Sequence, residues 1–140
     1  MFDRDIRNIM LIFVVIYIVI YINFYYNNPI KKHLHKQVFK LPFNDCCCSW
    51  WPISHFVLYG ILAYLYPHKW KFIFLIGLAW EIYEIIFFTY FERKGVYHVI
   101  QSPSGKLIKN GNPISATLTD TIFNGAGIVT ALALRKVFSK

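Results

Sequence analysis

The chain has 140 residues, of which 56% are hydrophobic and 19% aromatic, with a mean hydropathy of +0.42. Only 16% of the residues are charged, a balance that excludes an ordinary soluble domain and favours a single membrane-embedded one. The net charge of +8 comes from basic residues that flank apolar runs instead of lining one face, which favours lipid headgroups and no nucleic acid as partner.

The first predicted element is a membrane-spanning helix over residues 9–24, which interfacial aromatic residues extend to Tyr26. A short charged segment precedes it, and no cleavage site with small residues follows it. We therefore predict a retained signal-anchor helix rather than a cleaved signal peptide.

A basic amphipathic helix is predicted next. Asn28 and Pro29 are a typical cap and first residue of a helix, and Pro42 would end it. Apolar residues recur between them at helical spacing, and lysines take the other faces: Ile30, Leu34, Val38 and Leu41 against Lys31, Lys32, Lys36 and Lys40. This pattern predicts a helix that lies in the membrane interface, with a solvated loop as the alternative.

Three further spans are predicted over residues 50–66, 70–91 and 117–134. Residues 95–115 are polar and predict a loop with a short hairpin around Ser104 and Gly105. The predicted fold is an all-α, multi-pass integral membrane protein with about four transmembrane helices plus the interfacial helix. Residues 1–49 would hold the signal anchor and the amphipathic helix, and residues 50–140 a three-helix membrane core with a polar site. Similar numbers of Lys and Arg on the two sides leave the orientation undecided.

Three adjacent cysteines, Cys46, Cys47 and Cys48, precede the second span. Neighbouring residues rarely form a disulfide or chelate one metal together, which argues against a disulfide framework and a zinc site. Buried or interfacial thiols and S-palmitoylation beside the membrane remain as alternatives.

Three acids lie inside the predicted spans: Glu81 and Glu84 in the third and Asp120 in the fourth. No Lys or Arg lies deep in either span to pair with them. An ionised acid at mid-membrane costs about 2.5–3.5 kcal/mol on insertion scales, a cost normally offset by metal, shared protons or substrate. These carboxylates are therefore the main indication of function.

Helical spacing places the polar residues on defined faces. Glu81 and Glu84 differ by roughly 60° around their helix, and His55 lies one turn before Tyr59. On the fourth span one wedge holds a polar pair and two small residues that permit close packing: Asp120, Asn124, Gly127 and Ala131. Three helices are thus predicted to converge on one polar pocket.

Simpler interpretations exist for each residue. A single intramembrane Glu can extend its carboxylate to the interface, and Asn124 can serve helix packing alone. His55 can be a hydrogen-bonded interfacial residue. The remaining histidines are predicted to be solvated: His33, His35, His68 and His98. If the acids do converge, carboxylates and an amide oxygen suit Ca²⁺ or Mg²⁺, which could bind a lipid phosphate while an imidazole accepts a proton from a hydroxyl.

Four motifs follow one another along the second to fourth spans: Ser54-His55-Phe56, Trp80-Glu81-x-x-Glu84, Asp120 and Asn124-Gly125-Ala126-Gly127-Ile128. Their residues and order resemble the core of base-exchange phosphatidylserine synthases. The stretch from Asp120 to Gly127 also resembles VanZ-like membrane proteins, which share the Asp-x-x-x-Asn-x-x-Gly spacing. The synthases have one more residue between that Asp and Asn, and an acidic stretch after the second Glu that this chain lacks. The resemblance covers about residues 50–134.

By resemblance to the synthases, the polar residues of the spans would bind a divalent cation, Ca²⁺ rather than Mg²⁺, or a lipid phosphate: Glu81, Glu84, Asp120 and Asn124. His55 would be the base that activates the hydroxyl of a small headgroup such as serine. The resemblance therefore implies a membrane-embedded, metal-dependent transferase that exchanges or transfers phospholipid headgroups.

Two alternatives belong to other classes. One is a non-enzymatic VanZ-like small membrane or envelope protein, in which the acids only fix helix packing. The other is a subunit of an ion- or proton-coupled transporter, which would require a homo-oligomer because four helices without an internal repeat make a poor transporter.

Overall fold

The computed structural model describes residues 3–25, 37–40, 47–93, 99–101, 107–109 and 113–138. Within these ranges the chain forms four helices: α1 Arg4–Tyr25, α2 Trp50–Leu65, α3 Trp70–Arg93 and α4 Pro113–Phe138. A 3₁₀ turn, Pro67–Lys69, joins α2 to α3. Each helix coincides with one of the four predicted apolar segments, so the all-α prediction is confirmed.

A short antiparallel ribbon precedes α2. Its strands are β1 Gln37–Lys40 and β2 Cys47–Ser49, with Gln37 opposite Ser49 and Lys40 opposite Cys47. The predicted amphipathic helix is therefore wrong for Gln37–Lys40, and its residues 29–36 and 41 lie outside the described ranges. β-branched and aromatic residues at the centre of this strand favour extended backbone, and the pairing with β2 is invisible to a local periodicity.

A second ribbon lies between α3 and α4. Strand β3 Val99–Gln101 pairs antiparallel with β4 Leu107–Lys109, and Gln101 is opposite Leu107. These strands flank Ser104 and Gly105, which lie outside the described ranges. The hairpin expected in the polar loop is thus confirmed in its two strands.

The closest helix packing is between α2 and α4, where two glycines meet. A Cβ on Gly127 would lie 2.2 Å from the backbone oxygen of Phe56, and one on Gly60 would lie 3.3 Å from the backbone oxygen of Gly127. Small residues allow two helix backbones to approach in this way. The contact brings the polar face of α4 against the face of α2 that carries His55.

Helices α1 and α3 complete the bundle around Tyr59. Its ring packs against Phe13 with centroids 5.8 Å apart, and a Cβ on Gly77 would lie 2.8 Å from the same ring. The buried apolar residues come from all four helices: Ile9, Phe13, Tyr59, Leu62, Ala63, Ile73, Ile128 and Ala131.

Large apolar side chains cover the outside of the bundle, while polar side chains lie inside it. Exposed examples occur on every helix, among them Leu11, Val15, Ile61, Leu65, Leu75, Ile82, Ile86, Leu118, Val129 and Val137. Apolar exposure on this scale marks contact with a membrane or a partner. Within the ranges given above, one stretch, Thr117–Phe138, is long and apolar enough by length and composition to cross a membrane. The remaining predicted spans stay predictions.

Charged side chains link the start of α1, the turn Pro67–Lys69 and the end of α4 at one end of the bundle. We call this end the polar end. At the start of α1, Asp5 lies 3.0 Å from the ring nitrogen Nε2 of His68, and Asp3 accepts a hydrogen bond from Lys69. At the end of α4, Arg135 donates to the backbone oxygen of Tyr64 over 2.7 Å. The side chain of His68 is 63% exposed, as predicted.

The Asp3–Lys69 pair predicts a pH-dependent stability difference. The hydrogen bond from Lys69 lowers the pKa of Asp3 below the usual value for an aspartate, so this contribution to stability is present above that usual value and lost as the pH falls through the lowered pKa. We expect Asp3→Asn to decrease the Tm slightly at pH 7, because exposed ion pairs contribute little. Thermal unfolding of both proteins across acidic pH should show the difference vanish; a pH-independent difference would contradict this account.

Candidate functional site

Three helices place polar side chains at one level of the bundle. His55, Glu81 and Asn124 each lie about 15–17 Å from the polar end, measured along α2, α3 and α4 at 1.5 Å per residue. All three are buried, with Glu81 and Asn124 each only 1% exposed. The Gly60–Gly127 contact explains this juxtaposition, since His55 and Asn124 each lie about one turn before a glycine of that pair.

These three side chains form one hydrogen-bonded group. The amide Nδ2 of Asn124 donates to Oε1 of Glu81 over 3.2 Å. The ring nitrogen Nδ1 of His55 lies 3.3 Å from the same carboxylate oxygen and 3.2 Å from Oδ1 of Asn124. Oε1 of Glu81 is therefore in contact with both the amide of Asn124 and the imidazole of His55.

Asp120 completes the cluster one turn before Asn124. Ligand-capable atoms of His55, Glu81 and Asp120 all lie within 4.8 Å of one another, and all three residues are buried. Oε2 of Glu81 and Oδ1 of Asp120 have no hydrogen-bond partner among the described residues. A buried carboxylate oxygen without a partner is costly, so two of them beside one imidazole indicate a place for a cation or a proton.

Glu84 lies one turn after Glu81 and has a partner of its own. Its Oε1 accepts a hydrogen bond from the indole Nε1 of Trp80 over 2.8 Å. Trp80 packs edge-on against Tyr17, whose hydroxyl lies 3.1 Å from the hydroxyl of Tyr83. Glu84 thus lies near the contact between α1 and α3. It is next to Glu81 but is not part of the hydrogen-bonded group of His55, Glu81 and Asn124.

The structure therefore brings four of the five predicted site residues together and places the fifth next to them. We name the four the polar cluster: His55, Glu81, Asp120 and Asn124. The sequence did not show that two further residues support the site: Trp80, which donates to Glu84, and Gly60, which contacts Gly127. The spacing of Trp80 four residues before Glu84 could have predicted their hydrogen bond, whereas the contact of Gly60 with Gly127 depends on helix pairing. His33, His35, His98 and Cys46 lie outside the described ranges.

The donor set could hold a metal ion. Two carboxylates and one imidazole can each supply one ligand atom, and the unpartnered oxygens are the atoms that a cation would satisfy. The imidazole is less usual for Ca²⁺, which prefers oxygen ligands. No family model, curated protein or solved structure matches this chain. The resemblance to VanZ-like proteins and to phosphatidylserine synthases thus rests on its motifs.

Proposed function

We propose that the protein is a multi-pass membrane enzyme that modifies phospholipid headgroups at a metal ion bound by the polar cluster. The observation that carries the proposal is the pair of unpartnered carboxylate oxygens of Glu81 and Asp120, buried beside His55. Such a group is costly inside an apolar bundle and gains its stability from what it binds.

The lengths and surfaces of the helices support a multi-pass arrangement. Helices α1, α3 and α4 have 22, 24 and 26 residues, which correspond to about 33–39 Å and exceed a hydrocarbon core of about 30 Å. Exposed apolar side chains occur on all four helices. A cluster about 16 Å from the polar end would then lie near the middle of the bilayer.

The residues of the polar cluster have separable tasks in this proposal. Glu81 and Asp120 would supply negative ligands, and Asn124 holds Glu81 in place through its amide. A bound divalent cation would act as a Lewis acid on a phosphate oxygen and offset its charge. The carboxylates alone would repel the phosphate, which is why a lipid substrate requires the cation. The expected acceptor is a small hydroxyl compound such as serine.

Purified protein in vesicles of phosphatidylcholine and phosphatidylethanolamine tests the proposal. With radiolabelled serine and a divalent cation, we expect labelled lipid from the native chain and at least about 100-fold less from the double variant Glu81→Gln, Asp120→Asn, since it removes both negative ligands. Asp5→Asn, at the polar end, is the matched control and should stay active. Absence of exchange and of hydrolysis on every glycerophospholipid tried would refute the function.

A second candidate is a non-enzymatic membrane protein whose polar cluster fixes helix packing. The amide of Asn124 favours it, because this one side chain contacts both His55 on α2 and Glu81 on α3. Under this alternative, the double variant Glu81→Gln, Glu84→Gln would insert and fold at least as well as the native chain and keep its cellular function. A loss of function in a folded double variant would exclude it.

A further inference from the structure

We propose that His55 is a metal ligand together with Glu81 and Asp120, and that the site therefore selects a transition-metal dication such as Zn²⁺ or Mn²⁺ over Ca²⁺. The inference deepens the proposed function and rests on it for the presence of a cation. It differs from the role implied by resemblance, in which His55 is a base and oxygen atoms alone bind Ca²⁺.

The spacing of the donor atoms supports a shared ion. Nδ1 of His55 and Oε1 of Glu81 are 3.3 Å apart. Two ligands about 2.0–2.1 Å from one tetrahedral ion are separated by about 3.4 Å. One ligand-capable atom of each of His55, Glu81 and Asp120 lies within 4.8 Å of the other two, so a small inward shift of these side chains would place all three on one ion.

The number and kind of donors separate the candidate metals. Ca²⁺ takes 6–8 oxygen ligands, whereas Zn²⁺ takes four ligands and accepts imidazole readily. Of the nearby carboxylates in the described part of the chain, Glu84 already accepts a hydrogen bond from Trp80. Three protein ligands from three helices leave one position open, as in catalytic zinc sites.

Asn124 fits the role of a positioning residue for this ion. It donates to Oε1 of Glu81 and so holds that ligand in place. Its Oδ1 lies 3.2 Å from Nδ1 of His55, and that nitrogen cannot donate to the oxygen once it binds the ion. Partners that orient metal ligands typically change affinity by 10–100-fold when they are replaced. Asn124→Ala should therefore weaken metal binding by about 10–100-fold while the binding stoichiometry stays the same.

The test uses tag-free protein in detergent, in a background where Cys46, Cys47 and Cys48 are serine, because thiolates also bind Zn²⁺. After dialysis against equal concentrations of Zn²⁺, Mn²⁺, Mg²⁺ and Ca²⁺, we expect about one equivalent of Zn²⁺ or Mn²⁺ per chain and a raised Tm. X-ray absorption at the metal edge should show imidazole scattering. Retention of Ca²⁺ or Mg²⁺ in preference, or no metal at all, would overturn the proposal.

Matched variants locate the metal. His55→Ala and Asp120→Asn should lower the affinity by more than about 100-fold, whereas His68→Ala and Asp5→Asn at the polar end should leave it unchanged. Equal affinity in His55→Ala and the native protein would overturn the proposal. Native protein that binds Zn²⁺ at this site without headgroup activity would refute the proposed function and leave the metal site intact. Headgroup activity that depends on Ca²⁺ alone would refute the proposed transition-metal site and leave the proposed function intact.

Discussion

The substitution Gly127→Ala is expected to destabilise the bundle by at least about 2 kcal/mol, because the added Cβ would lie 2.2 Å from the backbone oxygen of Phe56. A backbone atom within a helix cannot move aside as the end of a side chain can, so α2 and α4 must separate. The higher helix propensity of Ala, worth about 1 kcal/mol over Gly, offsets only part of this cost. Thermal or denaturant unfolding in detergent measures the difference.

Gly125 supplies a control within the same helix. A Cβ there would lie 3.7 Å from the ring of Phe74, which is an ordinary contact distance. Gly125→Ala should therefore be neutral or slightly stabilising, since only the propensity gain remains. If both variants lost the same stability, the close approach of α2 and α4 at Gly127 would be wrong.

The Gly127 variant should also affect the polar cluster at a distance. The separation of α2 from α4 would move His55 away from Asn124, whose atoms now lie 3.2 Å apart. Metal affinity and headgroup activity should therefore fall together in Gly127→Ala, and both should persist in Gly125→Ala. This coupling distinguishes a site assembled by helix packing from one that a single helix carries.

Replacement of His55 by alanine is expected to reduce headgroup transfer by at least about 100-fold, which is the lower limit for the loss of a proton-transferring side chain. Loss of a metal ligand gives a comparable or larger reduction. The imidazole is buried beside Glu81 and Asn124, and its removal would take one ligand-capable group from the polar cluster. Turnover of labelled headgroup in vesicles provides the measurement.

His68→Ala is the matched control for His55→Ala, because His68 is exposed and pairs with Asp5 at the polar end. We expect it to keep full activity. Native-like activity in a folded His55→Ala protein would show that His55 has no role in the reaction. We expect added free imidazole to restore activity in His55→Ala. If the ring binds the ion, metal affinity should be restored together with activity.

Much of the helical fold could be predicted from the sequence, because apolar runs of this length and the turn at Pro67 are local signals. The convergence of His55, Glu81, Asp120 and Asn124 was also predicted, from helical spacing and from small residues on α4. This succeeded because a polar side chain in an apolar helix has few environments open to it other than the interior of the bundle.

One missed feature is a local contact, and the other is a pairing with a segment farther along the chain. Periodicity placed Glu81 and Glu84 on one side of α3, yet only Glu81 reaches Asn124, because Trp80 binds the carboxylate of Glu84. Likewise the helical pattern of Val38 and its neighbours did not show that this segment pairs with β2. Which of two compatible local structures forms is decided by contacts that spacing alone does not reveal.

The shortness of α2 has a consequence for how a lipid could reach the polar cluster. Its 16 residues correspond to about 24 Å, less than a hydrocarbon layer of about 30 Å. In the proposed bilayer arrangement this hydrophobic mismatch would thin the membrane beside α2. His55 lies only about 8 Å from the first residue of α2, so the thinned leaflet would bring phosphates down toward the imidazole. The substrate would then enter sideways from the leaflet opposite the polar end.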